Sequence, residues 1–165
     1  MRGRRGGEGR LYLGFALLFG LHFYLRPRVF DGPAAPDFLL CALMLIAVRS
    51  RPGLAAVAGF LVGLANDVLS PAAFGAGALA HTVVAYLAAW GRAVFFPDNL
   101  LVNAGLFAAG VWLRNAIVLL ASGTPSGQLA SGLLIWAPLQ GITTAAAGLA
   151  LLLLFRDWFA IRIDA

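Results

Sequence analysis

Apolar residues recur in six long runs, at approximately 11–25, 36–48, 53–69, 74–90, 100–121 and 129–155, and polar residues gather in the gaps between them. The runs are continuously apolar, without the alternation of a half-buried or barrel strand, and so predict helices. In the third run Ala55, Gly59, Gly63 and Asp67 fall four residues apart, on one slowly drifting stripe of a helix. The fourth run repeats the spacing with Gly77, His81, Ala85 and Ala89. Small residues at that spacing let two helix backbones approach closely inside a membrane, as a helix-packing or partner seam. The first stripe ends in a carboxylate, which is costly within an uncharged run and needs a reason.

The gaps carry the punctuation of helix ends. Pro36 and Asp37 open the second helix, with proline at a tolerated first-turn position and the acid complementing the helix dipole. That helix has about a dozen apolar residues, short of the roughly 20 of a full span. A re-entrant hairpin over 36–69 is the competing topology. Arg26–Ala35, with two prolines and a glycine, reads as a loop, as do the short Ser70–Phe74 turn, Gly91–Asn99 and the uncharged Ser122–Gln128. Pro138, Gln140 and Gly141 near the middle of the sixth run predict a kink. Residues 1–10, rich in Arg and Gly, read as a flexible arm, and 156–165 as a short amphiphilic tail. The first run resembles a signal-peptide core in length, but no small-x-small cleavage site follows it, so it reads as an uncleaved helix.

Composition sharpens this into a membrane protein. Apolar residues make up 61% of the 165 residues and charged ones only 12%, too few to cover the core of a soluble domain. The prediction is an all-α, polytopic bundle of six transmembrane helices over 11–155. The net charge of +5 does not point to nucleic acid, because the arginines sit at helix ends rather than on a basic face. With the N-terminus inside, the inner segments hold Arg2, Arg4, Arg5, Arg10, Arg49, Arg51, Arg92, Arg156 and Arg162, and the outer ones only Arg26 and Arg28. Both termini are therefore expected in the cytoplasm.

Candidate chemistry is sparse. Two histidines, one cysteine and seven acids, spread over separate segments, give no metal-ligand spacing, no catalytic constellation and no cofactor motif. His22 and His81 read as hydrogen-bonded interior or interfacial residues, Cys41 as a small buried hydrophobe, and Trp90, Trp136 and Trp158 as interfacial anchors. Asp67 and Arg114 stand out. Arg114 lies about seven residues from the outer end of the fifth helix, roughly 10 Å deep at 1.5 Å per residue, close to the depth expected for Asp67. The expectation is an intramembrane ion pair between them that fixes helix packing, with Asn115 and His81 as polar neighbours.

At this point the residues resemble the MreD family of rod shape-determining membrane proteins. Pro36-Asp37-Phe38-Leu39-Leu40 is similar to that family's proline-acid-apolar helix start. Gly59-x-x-x-Gly63-x-x-x-Asp67-Val68-Leu69, followed by Gly75 or Gly77, Leu79 and Tyr86, is similar to its central signature. The resemblance implies a non-enzymatic scaffold of the cell-elongation complex. Its partners would be an MreC-like single-span protein, a RodA-type glycosyltransferase, a class B penicillin-binding protein and, indirectly, MreB filaments. It also implies a fold similar to the substrate-binding S-components of energy-coupling-factor transporters. The alternative function is therefore a small-molecule, vitamin-binding transporter subunit, with a pocket built from Asn66, Asp67, His81, Arg114, Asn115 and Gln140.

Overall fold

In the computed structural model, the described residues are 13–30, 32–69, 73–91 and 99–154. They form six helices and no strand. These are α1 (13–29), α2 (Phe38–Ala47), α3 (Pro52–Val68), α4 (Ala76–Trp90), α5 (Leu100–Ala121) and α6 (Ser126–Leu154). Helices α5 and α6, of 22 and 29 residues, are long and apolar enough to cross a membrane, while α2, α3 and α4 are shorter apolar helices. The terminal arm, the tail with Trp158, and Arg92, Pro97 and Asp98 lie outside the described residues.

The shortest helix is the hub. Nine residues of α2, Phe38 to Leu45 and Ala47, are buried, and it packs against every other helix. Ten residues rise about 15 Å, half of a roughly 30 Å hydrocarbon core. The chain makes up the remaining depth with non-helical backbone, since Ala35, Pro36 and Asp37 are buried before the helix begins. Buried irregular backbone is tolerated at such depth only where protein groups satisfy it. Pro36 therefore sits just outside the helix and Asp37 is its N-cap, one position earlier than the first turn predicted for them.

Around this hub α3 and α4 form the most closely packed pair, followed by α5 and α6, with α4 against α5 joining the two hairpins. The buried residues of α3 are Ala55, Gly59, Gly63 and Asp67, the predicted stripe. A Cβ on Gly59 would lie closer than 3.0 Å to the His81 carbonyl and to Ala85 Cβ, and one on Gly63 closer than 3.0 Å to the Gly77 and Ala78 backbone. The seam is thus occupied from within, by α4, and is not a surface on which a partner helix can lie.

Two helices pass a proline by the same device. The first, expected to end near Leu25, continues through Pro27 to Val29, and the last, which starts at Ser126, three residues before the predicted 129, runs through Pro138, where a kink was expected. Each contains a widened π-turn just before its proline. In Leu21–Leu25 the Arg26 N–H reaches back to the Leu21 carbonyl, and in Gly132–Trp136 the Ala137 N–H reaches the Gly132 carbonyl. A proline inside a helix lacks an N–H and crowds the carbonyl four residues back; one extra residue in the preceding turn accommodates both defects. Leu133, whose carbonyl would be next in the π pattern, faces Pro138 and instead accepts the Trp112 indole N–H at 3.1 Å. Trp136 belongs to this mid-helix turn, and only Trp90 of the two described anchor candidates lies at a helix end.

Candidate functional site

Two buried aspartates organise the polar interior. Asp37 is fully buried at the N-terminus of α2. Its Oδ1 accepts from the Leu40 N–H at 2.9 Å, satisfying one of the free donors at a helix start. Its Oδ2 accepts from the Arg114 guanidinium of α5. Its own N–H donates to Thr144 Oγ1 of α6 at 3.0 Å. His22, brought inward by the π-turn of α1, places Nδ1 at 3.4 Å from Oδ1 and accepts the Leu39 N–H at 3.2 Å on the same nitrogen. An Nδ1 that accepts carries no proton, so His22 is held there as a neutral acceptor.

From Arg114 the network runs on without a break. The guanidinium donates to Asn115 Oδ1 at 2.6 Å, Asn115 Nδ2 donates to Gln140 Oε1 at 2.7 Å, and Gln140 Nε2 donates to the Ala35 carbonyl at 3.0 Å. Thr143 Oγ1 donates to the Ala34 carbonyl at 2.6 Å. The carbonyls of the buried entry segment are thereby paired with α6, which is what allows that segment to lie inside the bundle. Cys41 is a packed core residue whose thiol points at the Thr144 carbonyl, 3.8 Å away.

Asp67 does something different. The expected ion pair with Arg114 does not form, because Arg114 is committed to Asp37. Asp67 instead turns to the start of the next helix and accepts three backbone N–H groups, from Gly75 at 2.9 Å, Gly77 at 3.1 Å and Ala78 at 2.9 Å. Those are free donors of the first turn of α4, at the positive end of its dipole, so a carboxylate is stable there without a cation. Gly75 takes φ +96°, which turns the chain into α4, and a Cβ on Gly77 would collide with the Asp67 carboxylate. His81 is buried one turn further along, and its Nδ1–H donates to the Gly77 carbonyl at 2.7 Å.

The six residues considered as a small-molecule pocket therefore do not form one hydrogen-bonded set. Arg114, Asn115 and Gln140 form one chain of hydrogen bonds, while Asp67 and His81 belong to the α3–α4 seam. Sequence reasoning missed Asp37, His22 and Thr144 as members of the Arg114 centre. The available signal was the shortness of the second run. A helix too short to span leaves its N-terminus, and the acid that caps it, in the interior, where a buried cation on another helix is the natural partner.

Among the described residues no group of three His, Cys, Asp or Glu is placed to hold a metal ion. The geometry pins helix starts to neighbouring helices by charge and hydrogen bond. Neither the curated proteins nor the solved structures include a match to this chain. A family model does match, that of the rod shape-determining protein MreD, over residues 9–124. That span is more than half of the chain; it runs from before α1 to just beyond α5 and holds both buried aspartates, the Gly59–Gly63 seam and Arg114. By that match the chain belongs to the family of the rod shape-determining protein MreD.

Proposed function

We propose that this chain is a membrane-embedded scaffold of the cell-elongation machinery, docking an MreC-like single-span protein and helping to position a RodA-type glycosyltransferase with its class B penicillin-binding partner. Family membership supports a role in rod shape. The observation that carries the scaffold reading is the mutual pairing of the buried charged and amide groups. Asp37, Asn115, Gln140, Asp67 and both terminal nitrogens of Arg114 bond to one another or to the backbone, which favours a structural core over a vitamin-binding pocket. What the bundle offers to partners is its apolar outer surface, where helices associate by close packing.

The test is complementation together with capture. In a rod-shaped bacterium depleted of its own family member, this chain should restore rods and should co-purify an MreC-like protein from detergent-solubilised membranes. Round cells and no such protein, alongside recovery with an energy-coupling ATPase, would overturn the scaffold reading in favour of the transporter subunit.

The proposed topology is six spans with both termini cytoplasmic, supported by the arginine distribution. It is the layout that likens the bundle to S-components. Reporter fusions after Arg51 and Ala165 should report cytoplasm, and one after Ser126 periplasm; a periplasmic C-terminus would remove one span.

A further inference from the structure

Two buried polar atoms are left over when the hydrogen bonds around Arg114 and His81 are followed through. His81 is 1% exposed and its Nδ1–H is spent on the Gly77 carbonyl; in the neutral ring Nε2 is then an acceptor, and no donor among the described residues reaches it. Arg114 donates to Asp37 and Asn115 through its two terminal nitrogens, and its buried Nε–H meets no acceptor among the described residues. The two residues lie on α4 and α5, which pack against each other. Counted from the helix ends that share one side of the bundle, His81 is about 8 Å and Arg114 about 10 Å deep. They interact electrostatically with each other, and His81 also feels both Asp37 and Asp67.

One atom lacks a donor and the other lacks an acceptor. No hydrogen bond joins them directly, so a single group bridging the two would have to accept from Arg114 and donate to His81. A carboxylate could serve only Arg114, and a metal ion only His81. A hydroxyl serves both, and leaving two such groups unmet in the interior is costly. We propose that a single buried water accepts from Arg114 Nε–H and donates to His81 Nε2, joining the α3–α4 hairpin to the Asp37 centre. Water at such a site is an ordinary part of a folded interior, because it completes pairs that side chains cannot. This inference is independent of the partners proposed above.

The chain has only two histidines, so the site can be read directly. In protein labelled with nitrogen-15 histidine and reconstituted in lipid nanodiscs, water-edited spectra should show transfer from water to the His81 ring, with Nε2 in the hydrogen-bonded acceptor state. A His81→Asn variant assigns the signal. Arg114→Lys keeps a positive charge near Asp37 but has no Nε–H, and should lose most of that transfer. In thermal unfolding, His81→Leu combined with Arg114→Lys should lower the midpoint little more than the worse single variant. Absent water transfer in the unmodified protein, or strictly additive shifts, would overturn the proposal. A hydrogen-bonded Nε2 without water transfer would assign the place to the hydroxyl of a co-purified molecule, which also overturns it.

Discussion

Asp37 and Asp67 are both buried carboxylates at the start of a helix, and they are neutralised in opposite ways. Asp37 caps its own helix through one N–H and answers a full positive charge on α5, with His22 and Thr144 completing the shell. Asp67 caps the following helix through three N–H groups rather than through a cation. The first arrangement binds four helices that are distant in sequence; the second closes one hairpin. A buried ion pair is the more fragile device, because removing one member strands the other in the interior. A carboxylate held by backbone dipoles has no such hostage, since the backbone stays when a side chain is changed.

The comparison predicts a ranking. Arg114→Gln should have the largest effect, about 3–5 kcal/mol, because it leaves the Asp37 carboxylate buried without its counter-charge. Unfolding in detergent or lipid would measure it, and a loss below about 1 kcal/mol would show that the pair is solvated. Gly63→Leu should follow at about 1–3 kcal/mol, from overpacking against the Gly77 and Ala78 backbone. Because that seam is internal, the variant should fold poorly rather than lose a partner; full stability with selective loss of a partner would reverse the assignment. Asp67→Asn should be mildest, about 1 kcal/mol, since an amide oxygen still accepts from the α4 backbone. Combined with Arg114→Gln its effect should be additive, whereas Asp37→Asn with Arg114→Gln should show strong coupling. Coupling at Asp67 instead of Asp37 would exchange the two roles.

Much of the fold was legible in the six apolar runs, because a chain with so few charges has few places to turn. The stripe from Ala55 to Asp67 was legible for the same reason: small residues four apart serve backbone contact whatever the partner. The partner itself was not. Depth along a helix can be counted from its ends, and Asp67 and Arg114 matched in depth, but the direction each side chain faces depends on packing that one helix does not determine. The sequence offered two acids for one arginine, and the choice was made by α2, whose burial brings Asp37 to α5. The end of the first helix was misjudged because the segment with Pro27 was read as a loop, when a widened turn lets the helix pass the proline.

Those widened turns also change how α6 is counted. All seven of its buried residues, from Ala137 to Leu151, lie after the π-turn, and none lies within Ser126–Trp136. The extra residue shifts the angular phase, so that a pattern read every third or fourth position before Pro138 does not continue in step beyond it. In length α6 is one helix; in phase it is two. Its N-terminal part keeps its own faces, answerable to Trp112 of α5, and its sequence can drift without disturbing the register in which Gln140, Thr143 and Thr144 meet the entry segment of α2.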